Sequence, residues 1–256
     1  MTKAGHHSMM SGKADPIPYV HHHMNHWWDG EYNVGLDLPH DPQMRATQWV
    51  DLVGGLTLTK HYSNSYYATF ANGNFLETPS TNKTTSTRNS ELWASGSIIL
   101  PDATAITVEI VFDLSITPYF SPFDRIARDD DSLRLNFNRQ TSNEEDVITP
   151  IVNSPRNSST YHFPPPQNTW NCFNTNYAAV TIDETGLITA YWNGGNALTK
   201  QGTSNMAANL ATLNIMTLGR TDGGGKIYAK RTHLCALTAD EIAANYAVDR
   251  ARFGLT

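Results

Sequence analysis

Long hydrophobic runs are missing from this chain of 256 residues, and none approaches the roughly 20 apolar residues that a membrane-spanning helix needs. A membrane-embedded role is therefore not expected. Cysteine is scarce as well: Cys172 and Cys235 are the only two, too few for a disulfide scaffold. A chain of this length buries a core without a bridge, so both are read as free, mostly buried thiols. Basic residues are in deficit, 18 Lys and Arg against 24 Asp and Glu, for a formal charge of -6. They are also scattered, whereas phosphate binding needs a concentrated basic face, which argues against nucleic acid as a partner. The first 26 residues lack the apolar core of a signal peptide, so synthesis and assembly in a cytoplasm are expected.

What the chain does contain is alternation with period two. Ala178, Val180 and Ile182 alternate with polar neighbours, Asp183-Glu184-Thr185-Gly186 supplies a turn, and Ile188, Ala190 and Trp192 alternate on a second strand that Asn193-Gly194-Gly195 ends. This hairpin is too short to stand alone and predicts a larger sheet around it. The most regular strand spans 105–117: Ile106, Val108, Ile110, Phe112, Leu114 and Ile116 lie on one face, expected to be core, and Thr107, Glu109, Val111, Asp113 and Ser115 lie on the other, expected to be wet. Further strands are predicted around Leu56 and Leu58, Leu133 to Phe137, and Leu213 to Arg220. Trp28 and Trp49 are read as core anchors between turn residues. Residues 139–170 are polar and proline-rich and are expected to form an excursion at the rim. A single helix is predicted near the C-terminus, where Thr238 precedes Glu241 by the capping-box spacing, Ile242, Tyr246 and Phe253 recur, and Gly254 stops the run.

Residues 1–26 differ in character, holding six of the ten histidines and four methionines without periodicity. They are read as an irregular arm that contacts a partner, ahead of one domain over 27–256. His22 and His26 would share a face if the segment were helical, and His6, His7, His21 and His23 could add ligands, but no carboxylate or cysteine stands at a ligand spacing, so a metal site is not expected.

Several motifs resemble one family. Leu218-Gly219-Arg220, Gly225 to Arg231 and Ala236 to Tyr246 are similar to the closing motif of concanavalin A-like, laminin-G-type jelly-roll domains, and Tyr191-Trp192-Asn193-Gly194 is similar to a strand end of the same family. Trp28-Asp29-Gly30, His40-Asp41-Pro42 and Trp49 to Leu52 resemble the opening segment of a subgroup found in bacteriophage virion and bacterial surface proteins. Over 27–256 the resemblance implies an all-β fold: a two-sheet antiparallel jelly-roll sandwich with one short C-terminal α-helix.

Function is argued from sites, not fold. Retaining glycosidases of this superfamily carry E-x-D-x-x-E on one strand, and this chain does not; Glu144 with Asp146, and Glu109 with Asp113, lack the third acid. No enzyme activity is expected. Aromatic faces beside Asn or Asp suit sugar binding, and the candidates are Tyr119, Phe123 and Asp124, Tyr161 and His162, and Trp170 and Asn171. No cofactor is required, but relatives with calcium at the sandwich rim point to Asp129, Asp131 and Asp222 as hard-oxygen ligands. The expectation is a non-catalytic virion structural protein of the capsid or tail decoration or head-fibre type, displayed on the virion surface. Its partners are other virion proteins through residues 1–26, carbohydrate, and, as an open option, further copies of itself. A bacterial cell-surface adhesion module is the alternative.

Overall fold

The computed structural model describes residues 17–31, 48–54, 57–60, 76–78, 92–94, 103–113, 123–128, 134–142, 145–154, 159–164, 174–202, 214–215 and 225–256. It is a strand-rich, antiparallel, sandwich-like fold with a single C-terminal helix among the described residues, as the alternation predicts. The principal sheet is built on β6 (Ile106–Asp113), β11 (Asn176–Ile182), β12 (Leu187–Trp192) and β15 (Gly225–His233). β1 (Met24–Asp29) lies outside β15, β13 (Gly195–Gln201) outside β12, and the short β4 (Leu76–Thr78) pairs with the start of β15, giving the order β1-β15-β6-β11-β12-β13. The strands nearest the two ends of the described chain are thus neighbours.

Two further sheets join β10 (Ser159–His162), β9 (Glu145–Ser154), β8 (Arg134–Ser142), β7 (Phe123–Arg128) and β14 (Asn214–Ile215), in that order, and β2 (Gln48–Val50), β3 (Thr57–Lys60) and β5 (Leu92–Ala94). The excursion expected over 139–170 is corrected here, because 139–142, 145–154 and 159–162 are paired strands. The ladder is made by backbone groups, which polar residues supply as well as apolar ones. β13 was likewise not anticipated: its Leu198 to Gln201 are exposed, so no buried face left an alternating signal.

The predicted hairpin forms in the expected register, with Ala178 opposite Trp192, Val180 opposite Ala190 and Ile182 opposite Ile188. The Asp183 carboxylate accepts from the Thr185 hydroxyl at 2.7 Å and from the backbone N–H groups of Leu187 and Thr185, each at 2.9 Å, and these bonds hold its carboxyl below the usual range against the opposing effect of burial. Trp28 and Trp49 are fully buried, and Tyr191 and Trp192 are packing residues. Cys235 is a half-buried free thiol; Cys172 lies outside the described residues.

One expectation for β6 is overturned. Ile106, Val108, Ile110 and Phe112 are buried as predicted, but so are Thr107, Glu109, Val111 and Asp113, which were expected to face water. The cover on that second face is helix α1 (Ala239–Phe253), whose Ile242 and Tyr246 pack with Val111, Tyr177, Ala179 and Tyr191. The N-terminal segment shares in it, since Val20 packs against the same cluster. The boundary expected at residues 26 and 27 falls inside β1, and Tyr19 and Met24 are buried within this chain.

Helix α1 begins as its sequence indicates. The Thr238 hydroxyl accepts from Glu241 N–H at 3.3 Å, the Glu241 carboxylate accepts from Thr238 N–H at 2.8 Å, and Gly254 closes the C-terminus in the left-handed conformation. Thr238→Ala is expected to cost about 1 kcal/mol, read as a lower urea midpoint at unchanged slope.

Candidate functional site

The sheet face beneath α1 carries a polar layer that the sequence did not announce. Glu109 on β6 and Arg231 and His233 on β15 come together because Arg231 pairs with Glu109 and His233 with Thr107 across the ladder. Helix α1 adds Asn245 and Asp249 on the stripe that carries Ile242, the N-terminal segment adds Tyr19, and β11 adds Tyr177. All seven are buried.

Glu109 is the hub. It accepts from Arg231 Nε at 3.0 Å, from Asn245 Nδ2 at 3.1 Å, from His233 Nε2 at 3.0 Å and from the Tyr177 hydroxyl. Burial alone would raise its carboxyl, but the Arg231 guanidinium and His233 outweigh burial and hold it well below the usual range. Arg231 forks from Glu109 to Asp249, donating to Asp249 through Nη1 at 3.0 Å and also through Nη2. Burial raises the Asp249 carboxyl by more than Arg231 lowers it. The Tyr19 hydroxyl donates to Asp249, and the Arg231 guanidinium lies 4.1 Å from the centre of the Tyr19 ring. Beside the layer, Arg252 bridges Asp29 at 2.8 Å and Glu31 at 3.0 Å, so the helix end is tied to β1.

On the opposite face of β15, Lys230 is fully buried with its Nζ 5.2 Å from the centre of the Trp28 ring, and burial pushes its amine down to about 7. The folded amine is therefore neutral over a range in which the unfolded amine is charged. Unfolding takes up a proton between pH 7 and the ordinary lysine range, so this group makes stability rise with pH there and fall as pH drops through about 7. Between pH 7 and 9 the gain is expected to be roughly 2 kcal/mol. Urea titrations of the wild type and Lys230→Met measure it; the variant should lose that slope.

Close approach explains two glycines. A Cβ on Gly54 would stand 2.4 Å from the Asn25 carbonyl oxygen and 2.6 Å from Asp51 Oδ2, where Asp51 binds His26. A Cβ on Gly194 would stand 2.3 Å from the Tyr246 ring.

Of the residues singled out for sugar binding, Phe123 and Asp124 open β7, and Tyr161 and His162 end β10. Both strands belong to one sheet and the register puts these residues toward the same end, but β8 and β9 intervene, a span of roughly 14 Å at the usual strand spacing. Tyr119, Trp170 and Asn171 lie outside the described residues, as do the calcium candidates Asp129, Asp131 and Asp222 and the acid Glu144. Among the described residues no three His, Cys, Asp or Glu side chains are grouped to hold a metal, and no helix is long and apolar enough to cross a membrane. The buried layer was missed because Glu109 and Arg231 stand far apart in sequence; the available signal was Asn245 and Asp249, polar residues on the inward stripe of an amphipathic helix.

No family model matches the chain, and no curated protein matches it in sequence. Solved structures do. The binding domain of Paraclostridial Mosquitocidal Protein 1 superposes with a TM-score of 0.55 at 8% identity, over 88% of this chain and 52% of that one. The receptor binding domain of botulinum neurotoxin C/D mosaic serotype gives 0.54 at 12% identity, over 88% and 51%. Trypanosoma rangeli sialidase, in complex with a difluoro sugar acid, gives 0.53 at 10% identity, over 90% and 33%. The chain shares their β-sandwich fold. It spans about half the length of the toxin domains and a third of the sialidase.

Proposed function

We propose that this chain is a non-catalytic, lectin-like adhesion domain, carried as a structural component on a bacteriophage virion, where it holds the particle to host or mucus glycans. The observation that carries the adhesive half is the sandwich fold shared with a toxin binding domain and a neurotoxin receptor binding domain, each over most of this chain. The commitment of the buried acids supports the non-catalytic half: Glu109, Asp249 and Asp29 each bind an arginine inside the fold. A carboxylate so engaged is a poor general acid or nucleophile toward a sugar. The virion half rests on the motif resemblance; the bacterial cell surface is the alternative setting.

Binding is assigned to Tyr119, Phe123, Asp124, Tyr161, His162, Trp170 and Asn171, with calcium at Asp129, Asp131 or Asp222 as an optional support. A glycan array probed with and without calcium tests this, with binding that Trp170→Ala weakens about tenfold or more as the expected result. Silence on every glycan would remove the adhesive role. Proteomics of purified virions tests the setting, and recovery from bacterial surfaces without virions would favour the alternative. Reducing-sugar release from polysaccharides would overturn the non-catalytic reading.

A further inference from the structure

We infer that the N-terminal segment 17–22 is exchangeable between copies of this chain: the turn at His23 opens, and the segment docks on helix α1 and β15 of a second copy in place of its own. Its anchors lie mainly on those two elements. Tyr19 is buried, its hydroxyl donates to Asp249 and accepts from Arg252, and its ring centre lies 4.1 Å from the Arg231 guanidinium. Val20 N–H donates to Asn245 Oδ1 at 2.8 Å, His22 pairs with Glu241 at 3.2 Å, and the Tyr19 ring stands edge-on to Trp27 of β1 at 5.4 Å. The bonds from Tyr19 N–H and His21 Nε2 to the Ile17 carbonyl lie within the segment and travel with it.

The closed and exchanged forms differ at the hinge. His21 to Met24 form a turn closed by Met24 N–H to the His21 carbonyl at 3.1 Å, and His23 within it has φ of +55°, a left-handed conformation that glycine adopts freely and that strains a residue with a side chain. His21, His22 and His23 are exposed, so no core packing opposes the swing. The His23 carbonyl, which accepts from Leu234 N–H at 2.8 Å, lies beyond the φ rotation and stays with β1. Opening therefore gives one turn bond to water and relieves the strain at His23, while each anchor is rebuilt on an identical surface of the second copy. A strained turn between an anchored segment and its domain favours such exchange. The second copy is the occupant that the chemistry selects, because Asp249, Arg252, Arg231 and Asn245 already fit this segment. Contacts common to both forms cancel, so the lost freedom of association makes the balance depend on concentration.

The experiment refolds the full chain from urea at several concentrations and separates the products by size exclusion with light scattering. A dimer whose share rises with concentration is expected. His23→Gly removes the strain and should shift the monomer–dimer constant toward monomer on the order of tenfold, whereas His23→Val, whose branched side chain resists positive φ, should shift it toward dimer. The exchange itself is read by refolding equal amounts of isotope-labelled and unlabelled His22→Lys chains together and treating them with a zero-length carbodiimide. In the dimer fraction, about half of the links from the substituted residue to Glu241 should join a labelled peptide to an unlabelled one. Monomer at every concentration, an equal dimer share in the wild type and both His23 variants, or links confined to peptides of one isotope would each overturn the exchange. If His23→Val does not fold, the wild type and His23→Gly decide.

Discussion

Arg231→Met is expected to destabilise the protein by about 4 kcal/mol, near the upper end of what one substitution does. Arg231 is 1% exposed and is the cation that Glu109 and Asp249, both at 0%, share. Removing it leaves two carboxylates out of water with their principal counter-charge gone, and that uncompensated burial, more than the lost ion pair, is the source of the loss. Arg231→Lys should fall between wild type and Met, because a single ammonium cannot fork to two carboxylates. Replacing Glu109, Arg231 and Asp249 together by Leu, Met and Leu should recover part of the stability, limited by Tyr19, Tyr177, Asn245 and His233, each of which would lose a carboxylate partner. Urea unfolding measures all three. A change below about 0.5 kcal/mol for Arg231→Met, the size of a surface substitution, would mean that water reaches the layer.

Gly194→Ala is the second large effect, with an expected loss of about 3 kcal/mol. Two costs act together. The residue has φ of +74°, where a side chain is strained, and the added carbon would stand 2.3 Å from the Tyr246 ring. Asn193 before it also has positive φ, and there its side chain accepts from Tyr177 N–H at 2.9 Å, which fixes the turn. Gly195→Ala is the internal control, since nothing lies within 4 Å of its added carbon, and it should be close to neutral. Adding Tyr246→Ala to Gly194→Ala removes the ring carbons at 2.3 and 2.6 Å but leaves the Cβ of residue 246 at 2.8 Å, so part of the clash and all of the backbone strain should remain, and the double variant should lose less than the sum of the two single losses. Strict additivity would show that the turn and helix α1 are not in contact.

These two sites show how unevenly the fold was legible. The hairpin of β11 and β12 and the helix cap were readable because their signals are local: alternation with period two, an Asp-to-Gly turn, and a Thr and a Glu three residues apart. The Tyr-Trp-Asn-Gly motif was visible as a motif, but the reason for its glycine, a tyrosine ring from a helix about fifty residues later, was not. Nor was the register that brings Phe123 and His162 toward one end of a sheet while keeping them three strands apart.

The clearest division is at β6. The sequence alone determined that Ile106 to Asp113 is a strand and that Ile106, Val108, Ile110 and Phe112 face a core, since a period-two apolar row is stable only when buried. It could not determine the fate of Thr107, Glu109, Val111 and Asp113, because a charge on a strand reads as solvent-facing unless its counter-charge is known. That counter-charge, Arg231, lies 122 positions away, and its partner Asp249 sits on a helix whose docking is decided by packing. Only the tertiary structure brings the three together, and in doing so it converts the face expected to be wet into the polar layer that joins the N-terminal segment, the sheet and the C-terminal helix.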